Sequence, residues 1–571
     1  MKKSSTKWRG LVILAGALII AGLLLSACGS SSSGGGASPS AAATPKPGGT
    51  YVFPLGSDPL AVDPVGLQEV DAEFVSHQIF QGLYTTALQP DGSTKSVPDL
   101  LDKQTISADA KTFTFTIKQG IMFGPPVSRE VTAQDFVDSW NYALDPANES
   151  VSAPYIFQNL VGLDPKSGYA YAGKPLTSVK VIDKYTFEAT LNQSFSQWPL
   201  TLCYTASKVF PVDYAKQLGS YKAFADKPVG TGPYMLQSWK HGTGITLLKD
   251  PDYWNNAGDS GNSATPGYVD EIDYKIYRDI NTEYLAFQKG DIDYTAIPPG
   301  SWIASQNLPN VKNGQWTAKL YPTLSTAYVN VDMSSELGGS AYQPLRAALN
   351  YAADREAVCN VVFQGTHIPL DELAPTIMPG YETGLNPYPS YDAAKAQAEI
   401  DKMTAAGTKI PDPIPLWVNS GQGHEKWLQA LIAGWTKAMP SLNFKLKGLE
   451  TNAYWTKVNA HELPGLFRYG WGADYPLLDN FIYLFTTQGG VYGSSGLYSN
   501  KQVDALFNQA RATPDVAQSD DLYNQAQKLI LTDAPTIPIY SYRDARLSNN
   551  RLGGFNYNSM TQIDMWLLWV K

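Results

Sequence analysis

The side chains that could carry out catalysis occur in this sequence without the spacings that catalysis requires. No two of the five histidines stand two or four residues apart, the separations that place a pair of them on one zinc ion. No Gly-x-Ser-x-Gly segment is present to expose a nucleophilic serine on a sharp turn. The sequence therefore gives no support for a zinc protease or an α/β-hydrolase.

Other possible reactive motifs fail on chemical grounds. The Ser-x-x-Lys motif of penicillin-binding enzymes occurs only at Ser4 to Lys7, within the basic N-terminal segment. Gly230-Thr231-Gly232-Pro233 is glycine-rich, but Pro233 has no N–H for a phosphate, and a tight turn is the better interpretation. The 52 acidic side chains leave a glycosidase open, although nothing favours one. We expect no catalytic residue, no cofactor and no metal site.

Cys28 is the residue with the clearest predicted chemistry. It follows Leu25-Ser26-Ala27, the end of an apolar run that begins at Leu11 after a basic start. This order is typical of a secretory signal, and the cysteine at the cut resembles a bacterial lipobox. We predict a signal peptide over 1–27 and a diacylglycerol thioether on Cys28. A single membrane-spanning anchor is the alternative, but the run is shorter than the about 20 residues that spanning needs.

Size and charge limit the remaining classes. The 571 residues exceed the about 250–300 that one hydrophobic core accommodates, so two or more lobes are expected. The net charge is −9 and no basic run occurs, which argues against nucleic acid as a partner. Cys203 and Cys359 could form a disulfide in an oxidising compartment, but we prefer two separate buried thiols.

Secondary structure is predicted to be mixed. Residues 28–49 are rich in Ser, Gly, Ala and Pro and are interpreted as the lipidated cysteine with a flexible linker, with order beginning at Thr50. Alternation predicts strands, and apolar residues at helical spacing predict helices. The strands are expected at 111–118, 179–191 (as a pair) and 271–277, and the helices after Thr132, from Pro344, over 424–439, around Val503–Ala510 and around 522–531. We therefore expect an α/β or α+β protein of several lobes.

The segment Trp471-Gly472-Ala473-Asp474-Tyr475-Pro476 resembles a block of the oligopeptide-binding proteins of ABC importers, in the extracytoplasmic solute-binding family that also contains dipeptide binders. Further segments are similar to family blocks and stand in the expected order. They are Ile79–Leu83, Thr132–Pro146, Val229–Tyr234, Tyr253–Asn256, Phe287–Asp293 and Leu345–Arg355. The resemblance covers 50–571.

This resemblance implies a periplasmic-binding-protein-like α/β fold with mixed sheets and a third domain. Two lobes would close over the ligand about a two-segment hinge near Pro322–Ala327 and Pro538–Tyr540. The implied domains are lobe I at 50–80, 193–325 and 541–571, an additional domain at 81–192, and lobe II at 326–540.

The resemblance also implies a ligand site. Asp474 matches the position that pairs with the ligand's ammonium, although on its own it could equally cap a turn before Pro476. Gly470, Gly472 and the stretch around Val70 match strands that hold the peptide backbone. Trp471 would line a side-chain pocket, with core packing as the alternative.

Two cationic positions match carboxylate binders of the family. Arg468 stands where members that bind long peptides have a carboxylate-binding arginine, and a surface ion pair is the alternative. His424 falls near a second such position, and an exposed residue at a helix start is the alternative.

The sequence thus predicts a lipid-anchored, monomeric substrate-binding protein on the outer face of a bacterial membrane, delivering oligopeptides to an ABC permease. Dipeptides, a nickel chelate or a sugar remain alternatives within the same fold. An exported cell-wall hydrolase and a signalling or adhesion lipoprotein are the alternatives from other classes.

Overall fold

The computed structural model describes residues 45–67, 69–150, 152–258, 261–489 and 496–571. The predicted signal peptide, Cys28 and the linker as far as residue 44 lie outside these ranges. Within the described ranges, no helix is both long enough and apolar enough to cross a membrane.

Strands occur throughout the described chain. They are β1 (Thr50–Leu55), β2 (Tyr84–Leu88), β3 (Thr94–Pro98), β4 (Leu101–Ile106), β5 (Thr112–Ile117), β6 (Val179–Asp183), β7 (Thr186–Thr190), β8 (Tyr234–Lys240), β9 (Gly244–Lys249), β10 (Glu271–Ile276), β11 (Tyr294–Ala296), β12 (Trp316–Val331), β13 (Ile368–Pro369), β14 (Ile414–Asn419), β15 (Phe444–Leu449), β16 (Leu466–Gly472), β17 (Thr536–Asn549), β18 (Leu552–Gly553) and β19 (Trp569–Val570).

Helices lie between them. They are α1 (Val70–Ile79), α2 (Ala133–Ala143), α3 (Ala153–Ile156), α4 (Trp198–Thr201), α5 (Val212–Gln217), α6 (Tyr221–Ala225), α7 (Ile280–Lys289), α8 (Trp302–Gln306), α9 (Pro309–Lys312), α10 (Gln343–Tyr351), α11 (Arg355–Ala357), α12 (Ala393–Ala405), α13 (His424–Ala438), α14 (Thr451–Asn459), α15 (Asp479–Ile482), α16 (Lys501–Ala512) and α17 (Val516–Asp533).

The sheets mix parallel and antiparallel strands. One four-stranded sheet has the order β1-β10-β9-β8, with β1 parallel to β10, and another has the order β4-β5-β7-β6. A seven-stranded sheet follows the order β11-β17-β12-β16-β14-β15, with β13 beside β17. The strands β2 and β3, and β18 and β19, form two-stranded pairs.

The local sequence patterns produced the predicted elements. In β5 the alternating residues Phe113, Phe115 and Ile117 are buried, and the intervening threonines are less so. The helix α2 begins after Thr132, whose N–H donates to the Asp135 carboxylate at 2.8 Å. This bond satisfies a backbone donor at the start of the helix. The strand pair β6–β7, strand β10 and helices α10, α13, α16 and α17 are likewise confirmed.

The long strands β12 and β17 connect separate hydrophobic clusters. Their register runs from Trp316 opposite Asn549 to Asn330 opposite Thr536, with irregularities between Pro322 and Thr326 and between Ala327 and Tyr328. The end at Ala327 packs with α10 and α13, and the end at Leu547 packs with α7. Cys203 and Cys359 are free and buried, which confirms the preference for separate thiols.

Candidate functional site

The strand β16 carries four of the predicted site residues, Arg468, Gly470, Trp471 and Gly472. It pairs along its length with β12, so that Gly472 lies opposite Ser325 and Gly470 opposite Ala327. Its parallel pairing with β14 ends at Phe467. In the part of the chain that the structure describes, Arg468–Gly472 therefore has a neighbouring strand on one edge only.

The two glycines keep this strand close to its surroundings. A Cβ on Gly470 would lie 2.9 Å from the Thr326 carbonyl oxygen and 3.1 Å from Nη2 of Arg468. A Cβ on Gly472 would lie 3.2 Å from Oγ of Ser325. Side chains at these positions would push on their neighbours, so glycine preserves the backbone approach.

A cavity of about 250 Å³ begins where β16 ends, and we call it the Asp474 cavity. It brings together Val70, Gly472 and Asp474 from the predicted set, with walls added by α1, β12 and the segment 559–562. The prediction of a strand around Val70 is wrong, because Val70 is the first residue of α1. The acidic residues Asp71 and Glu73 lie in the first turn of that helix, where negative charge is favoured.

Asp474 is a partly buried carboxylate in the cavity wall. Burial raises its pKa to about 7, although hydrogen bonds from Tyr155 and Asn480 lower it in part. Among the described residues, no Lys, Arg or His forms an ion pair with it. A ligand ammonium in the cavity would supply the missing positive charge.

Trp471 lies beside the Asp474 cavity and is not one of the residues that line it. Its indole N–H donates to Oδ1 of Asn480 at 2.7 Å, and the same oxygen accepts the backbone N–H of Asp474 at 3.3 Å. Its ring packs against buried hydrophobic clusters. These contacts favour core packing, which positions Asn480 beside Asp474.

Arg468 is a buried cation with an exposed fraction of only 8%. Its Nη2 lies 3.5 Å from the Tyr542 hydroxyl, and its Nε has no hydrogen-bond partner. No carboxylate of the described residues pairs with it, so the surface ion pair considered for Arg468 is wrong. A buried guanidinium without a carboxylate is suited to an anionic ligand group.

His424 lies close to Arg468 and is the first residue of α13. Burial, followed by the Arg468 charge, lowers the pKa of His424 to about 4, so the ring is neutral at pH 7. Its Nδ1 accepts a hydrogen bond from the Trp427 indole at 3.3 Å. His424 is therefore partly buried, and the exposed helix-start alternative is wrong.

One face of the large sheet connects these groups. Successive side chains of a strand alternate between faces, so Arg468, Gly470 and Gly472 share one face with the residues opposite them on β12. Tyr540 lies opposite Ala327 on the same face, and its hydroxyl is 3.4 Å from that of Tyr542. The face thus extends from the Asp474 cavity past Arg468 to β17.

A second cavity of about 500 Å³ lies at the far end of this face, and we call it the His367 cavity. Its lining includes Trp302, His367, Lys426, Arg543 and Arg546, which come from segments far apart in the chain. The sequence analysis did not identify these residues, nor Glu69 and Glu73 of the Asp474 cavity. None of them belongs to a short motif, so their types and spacing carry no signal.

Known proteins resemble the chain over most of its length. A model of the bacterial extracellular solute-binding proteins, family 5 middle region, matches residues 95–493. The oligopeptide-binding protein OppA of Bacillus subtilis is 27% identical over 509 residues, covering 87% of this chain and 88% of that protein. The probable deoxycholate-binding periplasmic protein YgiS of Escherichia coli is 27% identical over 510 residues, covering 87% and 89%.

Solved structures share the fold. HbpA2 from Haemophilus parasuis superimposes with a TM-score of 0.76 at 21% identity, covering 92% of this chain and 100% of that one. The periplasmic binding protein DppA from Helicobacter pylori, in complex with peptide STSA, gives a TM-score of 0.71 at 22% identity, with coverage of 92% and 98%. These similarities confirm the predicted α/β binding-protein fold.

Proposed function

The chain belongs to family 5 of the bacterial extracellular solute-binding proteins, and we propose that it captures oligopeptides and delivers them to an ABC permease. The observation that carries this proposal is the carboxylate of Asp474, partly buried in a cavity without a cation of the described chain. A free peptide always brings an α-ammonium group. Placing that group beside Asp474 would pair two desolvated charges, and losing either partner of such a pair strongly lowers binding affinity.

The rest of a peptide would meet complementary groups on the same side. The edge of β16 beyond Phe467 can accept an extended segment as an added strand, so that main-chain hydrogen bonds hold any sequence. Arg468, on the strand face that leads away from the Asp474 cavity, would bind the terminal carboxylate. Arg468 and Asp474 stand six positions apart, or about 20 Å at strand spacing, within the reach of a short peptide.

Ligand capture would proceed by closure of two lobes, with 50–80, 193–325 and 541–571 in lobe I, 326–540 in lobe II, and 81–192 as the additional domain. The hinge would lie at Pro322–Ala327 and Pro538–Tyr540. The interrupted register between β12 and β17 supports this position, because irregular pairing concentrates bending at a few residues.

The printed names of relatives support a peptide ligand. One relative is an oligopeptide-binding protein, and one structure of the same fold holds peptide STSA. Deoxycholate, named for the Escherichia coli relative, has a carboxylate but no amine to pair with Asp474. The site residues thus favour a peptide over that ligand, and no catalytic step is part of the proposal.

Delivery to a permease requires the protein to remain at the outer face of the membrane. A diacylglycerol thioether on Cys28 would provide this attachment, and the segment after it would be a flexible tether for the monomeric receptor.

Native mass spectrometry of the purified mature protein tests the ligand class. We expect a population of bound masses that, after denaturation, separates into short peptides. A homogeneous metal chelate, sugar or bile acid in their place would refute the proposal. Denaturation in the same experiment also reports the mass of the lipid on the N-terminal cysteine.

Peptide binding is expected to release protons near neutral pH. The free Asp474 carboxyl has a pKa of about 7, and a neighbouring ammonium would lower it. Affinity should therefore rise with pH from 5 to about 7 and level off until the peptide amine deprotonates near pH 8. Calorimetry at pH 6.5 in buffers of different ionisation enthalpy measures the release. A pH-independent affinity without proton release would exclude Asp474 as the amine partner.

A further inference from the structure

The Asp474 cavity contains more carboxyl groups than one peptide ammonium can pair with. Its lining contains Glu69, Glu73 and Asp474, and it contains no Lys, Arg or His. None of the three carboxylates forms an ion pair with a described basic side chain. A single α-ammonium would leave at least one of them uncompensated.

The neighbours of these carboxylates are neutral hydrogen-bond donors. Glu73 accepts from the Thr205 hydroxyl at 2.5 Å and from the Gln562 amide at 2.9 Å. Neutral donors such as Thr205 and Gln562 orient a carboxylate without cancelling its charge, so the cavity favours positive charge. One carboxylate oxygen of Glu69 is buried without a partner, and burial raises the pKa of this residue. A cationic group of the ligand beside Glu69 would therefore favour its ionised form.

The His367 cavity has the opposite character. Lys426, Arg543 and Arg546 line it, together with the single carboxylate of Asp544. Arg546 pairs with Asp544 at 2.8 Å, whereas Arg543 donates to the carbonyl oxygens of Gly365 and Thr366. Lys426 and Arg543 form no ion pair within the described residues, which leaves two positive charges at this end.

A row of side chains on one face of the sheet links the two cavities. Gly472 lines the Asp474 cavity, and Arg468, four residues earlier in β16, lies on the same face of the strand. The Arg468 guanidinium extends to the hydroxyl of Tyr542 on β17. On β17, Asp544 and Arg546 follow Tyr542 on the same face and line the His367 cavity. A ligand lying along this face would pass from an acidic end to a basic end.

We propose that this surface selects peptides by the direction of their side-chain charge, with basic residues at the amino end and acidic residues towards the carboxyl end. The proposal rests on the proposed function, since it assumes that the amino terminus lies at Asp474. A basic first side chain would meet Glu69 or Glu73, and an acidic side chain near the other end would meet Lys426 or Arg543. The reversed order would place like charges together at both ends, which is costly in a desolvated site.

Two peptides of identical composition isolate this effect. Lys-Ala-Ser-Ala-Ala-Ser-Ala-Glu and Glu-Ala-Ser-Ala-Ala-Ser-Ala-Lys have the same termini, length and net charge, and differ only in charge order. At about 25 Å when extended, each is long enough to reach from the Asp474 cavity past Arg468. With ligand-free protein in a titration calorimeter, we expect the first to bind about 30-fold more tightly, a difference that two favourable charge contacts account for. The ratio should shrink when the salt concentration rises from about 20 mM to about 0.5 M, because salt screens partly exposed charges.

Single substitutions in the two cavities test which side chains cause the difference in affinity between the two charged peptides. Glu73→Gln and Lys426→Gln should each reduce the ratio several-fold, and the exposed position of Lys426 makes a folding defect there unexpected. Glu399→Gln, on a helix remote from both cavities, is the matched control and should leave the ratio unchanged. Ala-Ala-Ser-Ala-Ala-Ser-Ala-Ala, of the same length, serves as the reference peptide without charged side chains.

The outcomes separate this inference from the proposed function. If all three peptides bind and the two charged isomers have equal affinity, the charge-direction proposal is overturned and peptide capture stands. A preference for the isomer that begins with Glu has the same consequence. Failure of all three peptides to bind overturns peptide capture itself, and the charge-direction proposal with it.

Discussion

Replacing Asp474 by asparagine is expected to weaken peptide binding by about 100-fold or more while making the ligand-free protein more stable at pH 8. The loss of affinity follows from the loss of the charge that would pair with the peptide ammonium. Asparagine matches aspartate in size, and its amide oxygen can still accept one of the hydrogen bonds that Tyr155 and Asn480 make to the carboxylate. Calorimetry measures the first effect and urea denaturation of the ligand-free protein measures the second.

The gain in stability follows from the pKa of Asp474. Burial raises the pKa from 3.8 to about 7, so the folded chain holds a proton that the unfolded chain has already released. Stability therefore falls as the pH rises from about 4 to about 7, and the loss persists above pH 7. Asparagine avoids this loss, which we place on the order of 2 kcal/mol, about half of what the full pKa shift would give, because solvent screens the partly exposed side chain.

The stability measurement separates the two interpretations of Asp474. An exposed turn-capping aspartate could be replaced by asparagine with little change in stability at any pH, because the two residues cap equally well. A buried carboxyl kept for the ligand amine makes the asparagine variant more stable only at high pH. At pH 4 the wild-type carboxyl is protonated in the folded state, so the two proteins should then have similar stability. Unchanged affinity of a folded variant would refute the amine anchor.

Replacing Asp479 by asparagine is expected to destabilise the fold by about 3–5 kcal/mol, because it leaves a buried guanidinium without its counter-charge. Asp479 accepts hydrogen bonds from Arg511 Nε at 2.7 Å and Nη2 at 3.1 Å, and from the hydroxyls of Tyr475 at 2.8 Å and Tyr523 at 3.0 Å. The side chains of Asp479 and Arg511 are exposed by only 1% and 2%. The shift in the urea midpoint, followed by tryptophan fluorescence, measures the effect.

Two controls identify the cause. Glu399→Gln breaks the exposed pair with Lys402 and should change stability by less than about 0.5 kcal/mol. Adding Arg511→Met to Asp479→Asn should recover part of the loss, since methionine can pack between Phe195 and Phe507, whose rings each lie 4.4 Å from the guanidinium. If the single variant loses less than about 1 kcal/mol, the pair is not a main support of this region.

Elements with strong local periodicity were predictable. Strict alternation identified β5, and apolar residues at helical spacing identified α10, α13 and α16, because one face of each must be buried. The start of α1 was not found, and the strand expected there is wrong. Nearly all of α1 after its first turn is buried, polar residues included, so its sequence lacks the apolar–polar contrast from which a helix is recognised.

The predicted site residues that share one segment lie close together in the structure. Arg468, Gly470, Gly472 and Asp474 stand within seven positions, and the resemblance of their segment to a family block pointed to all four. The family match confirms the family, and the role of these residues in binding stays a prediction. Trp471 was placed in the ligand pocket, but its contacts are those of a core residue. Its side chain points to the face of β16 opposite that of Gly470 and Gly472, away from the row of side chains that links the cavities.

The sequence by itself determined the class of protein, the positions of local structure and the segment that carries the proposed amine anchor, since each depends on residues close together in the chain. Only the tertiary structure decided the charge around that anchor. Glu69 and Glu73 line the same cavity as Asp474, although they stand some 400 positions from it in the chain. Lys426 and Arg543 line the second cavity and are more than 100 positions apart. Burial raises the pKa of Asp474, and this burial arises from long-range packing that no local pattern encodes.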